Sequence, residues 1–237
     1  MTLLEADMGK NFDQDFLGLD FYQKHKYMIP FVGKDFISPN HKKLLLLGES
    51  HYLPQKTSTC FKEEEWYEKE FDLQGDDYNY CNTRDTWVGG ASLFHRHVRE
   101  CLYSVFKCND PWHHVAFCNY FLRPARKGNE FKVGTKDSKQ AIENLIQIVN
   151  ILSPDIIVFL SKKAVESAEE NYPSLKMKYK DFWDWTKSQN IEYCYTNHPS
   201  RSWNSLMPIK YWRDKWLLHP KDLSARNFFC DWLERRL

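Results

Sequence analysis

Lys43-Leu-Leu-Leu-Leu-Gly48-Glu-Ser-His-Tyr52 is the stretch whose reading decides the fold. Four consecutive leucines bounded by polar residues are too few for a helix of their own. Gly48 behind them lets the backbone turn sharply, so the run reads as a buried parallel strand. In open α/β sheets the chemistry sits just beyond the carboxyl ends of such strands. Glu49, Ser50, His51 and Tyr52 therefore occupy the place where an active site is expected, against the plainer alternative of an ordinary polar loop.

Outward from this strand the chain repeats the pattern. His114-Val-Ala-Phe-Cys-Asn119, Ile156 to Leu160 and Ile191 to Thr196 read as three more short strands. Leu93, Phe94, His97, Val98, Cys101, Leu102, Val105 and Phe106 recur at helical spacing, and Asn109-Asp110-Pro111 ends that helix. Asp137 or Ser138 caps a second helix, with face Ile142, Leu145, Ile146, Val149 and Leu152, which Ser153-Pro154 breaks. Ser161 caps a third through Ala168, and Leu223, Phe228, Phe229, Trp232 and Leu233 mark a closing helix. A short helix is expected over Asp13 to Lys26. Strands alternating with helices imply a three-layer α/β/α fold around a four-stranded parallel sheet. One domain over residues 1–237 accounts for the whole, interrupted by an acidic connection at about 53–86. That connection holds a helix from Phe61 to Phe71 and reads as a lid, an insertion or a disordered tip.

Composition narrows the function. The 237 residues are 42% hydrophobic and 16% aromatic, ample for a core. Lys+Arg 33 against Asp+Glu 32 gives a net charge of +1, so any electrostatic footprint must come from uneven placement, such as the basic cluster from Arg123 to Lys139. Seven cysteines without a Cys-x-x-Cys pair or a signal peptide point to reduced thiols in a cytoplasmic protein and to no zinc or iron–sulfur site. His113 and His114, adjacent at a strand start, are expected on opposite faces, which argues against a metal there. No apolar run approaches the roughly 18 residues that span a bilayer.

Polar groups stand at three of the strand ends: Glu49 to Tyr52, Asn119, and His198 with Ser200. Through these segments, in order, the chain resembles the uracil-DNA glycosylase superfamily. Gly48-Glu49-Ser50-His51-Tyr52 is similar to that family's first motif, Gly-Gln-Asp-Pro-Tyr or Gly-Glu-Ala-Pro-Gly. Trp87-Val88-Gly89 resembles the Phe-Val-Gly whose ring stacks on the flipped base. Asn119-Tyr-Phe-Leu-Arg123-Pro124 is similar to the base-reading Asn and the Arg-Pro after it. Ser153 to Leu160 resembles the Lys-Pro-x-Val-Ile-Val strand, and Thr196-Asn-His198-Pro199-Ser200 the Thr-x-His-Pro-Ser motif. The close cysteine pair of the iron–sulfur branch is missing, Ser50 stands where other branches have a water-positioning Asp or Asn, and His51 stands where they have Pro.

The resemblance implies strand order 2-1-3-4, a monomer without cofactor, and hydrolysis of the bond between deoxyribose and uracil or another deaminated base in DNA, as in base excision repair. Such an enzyme flips the nucleotide out, reads the base edge and stabilises the departing base anion. Asn119 would accept from N3–H and donate to O4 of uracil, a pairing that cytosine reverses. His198, kept neutral, would donate to O2. Trp87 would stack on the base beside His51 and Tyr52. Glu49 is the expected group for orienting or deprotonating water, with Ser50 or His51 assisting. After His198, the segment Ser200-Arg201-Ser202-Trp203 with Arg123 forms the expected DNA contact. Ser200, Ser202 and Arg201 would meet phosphate, while Trp203 or Leu206 either wedges into the base stack or packs back onto the closing helix. A weakly active or inactive binding module for nucleic acid or a nucleobase is the alternative. No Gly-x-Ser-x-Gly elbow, Walker loop or dinucleotide glycine pattern supports an unrelated hydrolase or nucleotide-binding protein.

Overall fold

The computed structural model describes residues 12–53, 61–90, 92–126, 132–172, 181–200, 203 and 224–237. Two short helices, α1 (Asp13–Leu17) and α2 (Asp20–Lys24), replace the continuous helix expected there, with Gly18 and Leu19 between them. The strands β1 (Phe31–Val32), β2 (Leu44–Gly48) and β3 (Tyr52–Leu53) follow. The acidic connection carries α3 (Glu63–Glu68), α4 (Gly75–Cys81) and α5 (Thr83–Gly89). Then come α6 (Leu93–Phe106), β4 (Val115–Asn119), β5 (Ala125–Arg126) and α7 (Thr135–Leu152). The chain continues through β6 (Ile156–Phe159), α8 (Lys162–Asn171), α9 (Phe182–Ser188), β7 (Glu192–Tyr195) and α10 (Ala225–Glu234).

The main sheet has five strands, not four, in the order β1-β4-β2-β6-β7. Strands β4, β2, β6 and β7 run parallel, and β1 adds an antiparallel edge against β4. A two-residue strand between Pro30 and Gly33 has no periodicity to betray it in the sequence. A second, smaller sheet pairs β3 with β5 in parallel.

The leucine strand lies at the centre because it is apolar on both sides. Leu45 and Leu47 enter one core, Leu44 and Leu46 the other. The same two-residue alternation sorts Ala116 and Cys118 from Val115 and Phe117 on β4, and Ile157 and Phe159 from Ile156 and Val158 on β6. Helices α1, α2, α7, α8 and α9 cover the first face; α6 and α10 cover the second. Each fully buried leucine contributes about 1.5–3 kcal/mol of transfer free energy, so this short segment stabilises both layers at once.

The acidic connection is part of this core rather than a lid or tip. Trp66 and Tyr67 of α3 are buried, and the Trp66 indole N–H donates to the Leu122 carbonyl at 3.1 Å. His25 stacks on Trp66 with centroids 4.2 Å apart and donates from Nε2 to the Trp66 carbonyl at 3.0 Å. Residues 54–60 lie outside the described residues.

The same docking explains Arg123, expected at a DNA surface. Its guanidinium instead grips the fully buried Asp137 carboxylate with two hydrogen bonds, 2.9 and 2.5 Å, and donates to the Phe61 carbonyl at 3.0 Å. Asp137 also accepts from the Tyr67 hydroxyl at 2.9 Å and from the Gly134 N–H at 2.9 Å, closing the start of α7. Asp137 therefore serves α7 from inside its first turn while tying α3 and the Arg123 segment to it. Among the described residues no helix is long and apolar enough to cross a membrane.

Asp137→Ala removes the buried acceptor of the half-buried Arg123 guanidinium and of the Tyr67 hydroxyl, and is expected to lower the unfolding free energy by about 3 kcal/mol, read by urea denaturation. A loss under about 1 kcal/mol, the range of an exposed pair, would show that the connection is held by apolar contact alone.

Candidate functional site

The register of the parallel strands sets the site. Gly48 pairs with Asn119, so the last residue of β2 lies beside the last residue of β4. The chain past β2 is then stitched to the chain past β4: the Tyr120 N–H donates to the Gly48 carbonyl and the Phe121 N–H to the Glu49 carbonyl, both at 2.9 Å. A methyl group on Gly48 would collide with the Asn119 side-chain oxygen. Glycine at this position therefore leaves the Asn119 amide its place beside the strand. Among the described residues, no protein group hydrogen-bonds the Asn119 amide, which stands half-buried at the sheet's carboxyl edge.

Glu49 is held by donors from three directions. The Tyr52 hydroxyl donates to Oε1 at 2.6 Å, the Ser161 hydroxyl to Oε2 at 2.6 Å, and Lys163 Nζ lies 3.5 Å from Oε1. Burial alone would push the carboxyl's pKa up. The Ser161 and Tyr52 hydrogen bonds, with the charge of Lys163, outweigh it and hold Glu49 below its ordinary value. The result is a fixed carboxylate that gives up the role of proton acceptor in favour of a standing negative charge. Tyr52, expected beside the base, positions Glu49 through its hydroxyl.

Ser161 does two tasks. Its oxygen accepts from the Ala164 N–H as the cap of α8, as the sequence suggested, and its hydrogen goes to Glu49. Neither Ser161 nor Lys163 was singled out for the site. The only signal in the sequence is their position just past the third strand of the pattern.

Ser50 and His51, expected to assist at the water, are committed elsewhere. Ser50 donates to the Arg123 carbonyl at 2.8 Å, bridging the ends of β2 and β4. His51 is buried, with Nδ1 at 2.9 Å from the Tyr80 carbonyl and Nε2 at 3.0 Å from the Thr83 hydroxyl. Since a carbonyl only accepts, Nδ1 carries the hydrogen. Burial pushes the His51 pKa down to about 4, so the ring is neutral at pH 7.

His198 follows β7. The Ser200 backbone N–H donates to its Nδ1 at 3.3 Å, and the Ser200 hydroxyl lies 2.8 Å from the same nitrogen. A backbone N–H only donates, so Nδ1 is the acceptor and the hydrogen of the neutral ring sits on Nε2. Ser200 thus sets the tautomer of His198. The loop is pinned further by His97, whose Nδ1 lies 2.6 Å from the Pro199 carbonyl.

The aromatic residues are placed differently from expectation. Trp87 is buried and stacks on Phe117, centroids 4.0 Å apart and planes at 10°, so this face of its ring is closed to a base. The partly exposed ring of Phe94 lies 5.3 Å from the His198 ring. Trp203 is buried, 5.4 Å from the Phe229 ring of α10, and its carbonyl accepts from the Arg226 N–H at 2.8 Å. Of the two alternatives for Trp203, the packed one holds. Arg201, Ser202 and Leu206 lie outside the described residues.

Among the described residues, no three His, Cys, Asp or Glu side chains form a group that could hold a metal ion. His113 and His114 share a 3-10 turn before β4, and His114 Nδ1 lies 3.0 Å from His41 Nε2. No protein-family model matches the chain, and no curated protein matches it in sequence.

Two outcomes follow from this geometry. Gly48→Ala is expected to leave a folded protein whose Asn119 is displaced, lowering affinity for any ligand that Asn119 reads by about 10-fold or more, the weight of one lost hydrogen bond in a desolvated site. Titration calorimetry against free uracil would read it. Separately, His25 and His51 both have folded pKa values of about 4, below the roughly 6.5 of an unfolded histidine. Between those values the unfolded chain takes up protons that the folded chain refuses. Stability is therefore full above pH ~6.5 and falls as pH drops toward ~4, by up to about 1.4 kcal/mol per pH unit for each histidine. Urea midpoints measured across that range would show it, and His51→Gln should flatten the slope by about one proton.

Proposed function

We propose that the protein is a DNA glycosylase of the uracil-DNA glycosylase type, hydrolysing the N-glycosidic bond of uracil or another deaminated base. The reading rests above all on the pairing of Asn119, whose amide has no partner among the described residues, with a His198 whose tautomer leaves a hydrogen on Nε2. Such a pair meets both needs of a uracil edge: an amide that accepts from N3–H and donates to O4, and a neutral donor for O2. The sequence motifs that resemble the superfamily carry these same residues, and a mostly parallel sheet with helices on both faces supports the reading.

In this mechanism the bond from deoxyribose C1′ to the base nitrogen breaks, and its electron pair leaves on the base. Asn119 orients the base and Nε2–H of His198 stabilises the charge growing on O2. The Glu49 carboxylate, locked by Tyr52, Ser161 and Lys163, stabilises the cation-like sugar electrostatically. Water adds its hydroxide to C1′, and its proton ends on the base anion. A carboxylate held below its ordinary pKa suits this role better than that of a general base. Phe94, beside His198, takes the stacking role that the buried Trp87 cannot. The DNA partner, a monomeric state and a cytoplasmic location belong to the same proposal.

The commitment of Ser50 and His51 to structural hydrogen bonds favours a second reading, a binding module of the same fold with little or no catalysis. Single-turnover base release from single- and double-stranded oligonucleotides carrying uracil, hypoxanthine, xanthine or a G:T mismatch separates the two. A glycosylase releases base, and His198→Ala lowers the rate by roughly 100- to 1000-fold, the usual effect of losing one such donor. DNA binding that weakens steeply with salt, without release from any substrate, would establish the binding module. Equal activity in wild type, Asn119→Ala and His198→Ala would overturn the assigned roles.

A further inference from the structure

Two thiols meet where α6 packs against α10, away from the polar ends of the sheet. Cys101 is fully buried on the inner face of α6, and Cys230 is half-buried on α10, one turn beyond Arg226. The two helix backbones approach within 8 Å of each other. Cys101 Sγ lies 4.0 Å from the Arg226 carbonyl oxygen, and in a helix that oxygen points at the residue four positions on, here Cys230. Cys230 packs against the apolar cluster that holds Cys101, and the two side chains share a hydrogen bond, so the sulfurs meet across the helix interface. They act on each other's protons: the hydrogen bond with Cys230 and burial push the Cys101 thiol up, and the hydrogen bond from Cys101, with the Arg226 charge, holds Cys230 below the usual thiol range. Arg226 is itself fixed at this junction, 3.3 Å from Glu100. A partly accessible thiol backed by a fully buried one has the layout of an attacking and a resolving cysteine.

We propose that Cys101 and Cys230 form a redox pair that closes to an interhelix disulfide on meeting a low-molecular-weight disulfide. The Cys230 thiolate attacks one sulfur of the oxidant RSSR, forming Cys230–S–SR and releasing RS⁻. Cys101 then gives up its proton and attacks the Cys230 sulfur, forming the Cys101–Cys230 bond and releasing the second RS⁻. The protein loses two electrons and two protons, and the oxidant becomes two thiols. The bond joins the two helices that bracket the His198 segment. His97 of α6 holds the Pro199 carbonyl, while at the start of α10 the Arg226 N–H holds the Trp203 carbonyl and the Ala225 carbonyl accepts from the Thr196 hydroxyl at 3.3 Å. Oxidation thus staples the frame around that loop, whatever the site binds.

The test uses the full chain treated with oxidised glutathione, then analysed by intact mass and non-reducing peptide mapping. The expected product is about 2 Da lighter than the reduced chain, links the Cys101 and Cys230 peptides, melts about 5–10 °C higher, and reverts with dithiothreitol. Cys101→Ala should stop at the glutathione adduct on Cys230. Should that buried substitution prevent folding, Cys230→Ser, at a half-buried position, is the control: it should give neither the link nor the rise in melting temperature. A wild-type adduct on Cys230 that never resolves, a link between other cysteines, or no reaction at Cys230 would each overturn the proposal.

Discussion

The pairing of Leu44–Gly48 with a parallel strand on each side, both faces buried, is the constraint from which the rest of the molecule follows. A slip of one residue would exchange the leucines of the two cores and carry Gly48 out of line with Asn119. The same pairing brings Gly48 beside Asn119 and leaves Glu49 as the first residue beyond the sheet. Its other neighbour, β6, delivers Ser161 to the opposite side of Glu49. Site geometry is thus a by-product of strand register, which apolar burial enforces.

Around Glu49 the balance of forces is unusual for a carboxylate at the edge of a core. Burial favours its neutral form, yet two hydroxyl donors and a lysine keep it charged. A charge held in this way needs no reorganisation when an opposite charge develops next to it, which is where preorganised electrostatics acts most strongly. Ser50 and His51, adjacent in sequence, hold the backbone that aims Glu49. His198 shows the same division of labour, with Ser200 setting its tautomer and His97 pinning its loop. Glu49 and His198 are thus each oriented by neighbours that take no other part at the strand ends.

The acidic connection, which by length and charge reads as an accessory, supplies structure to both the core and the site. Its Trp66 and Tyr67 are buried with His25 and Asp137, and its Thr83 and the Tyr80 carbonyl hold His51. Two neutral buried histidines, His25 and His51, sit at this seam between connection and sheet, so acid weakens the attachment of the connection.

By itself the sequence determined what depends on local pattern. The leucine run, the apolar strands after it and the helical faces between them specify a parallel sheet covered on both sides, and put Glu49, Asn119 and His198 at strand ends. Two-residue strands such as Phe31–Val32 carry no such pattern and were legible only once paired. Tertiary structure alone decided which polar and aromatic side chains face outward. Arg123 was claimed by Asp137, Trp87 by Phe117 and Trp203 by Phe229, while Ser161 was drawn from capping a helix to holding Glu49 as well. The physical reason is range. Burial periodicity is written in neighbours two to four residues apart, whereas the partner that satisfies a buried charge, ring or hydroxyl comes from a distant part of the chain. That choice is made only when the strands are in register and the layers close.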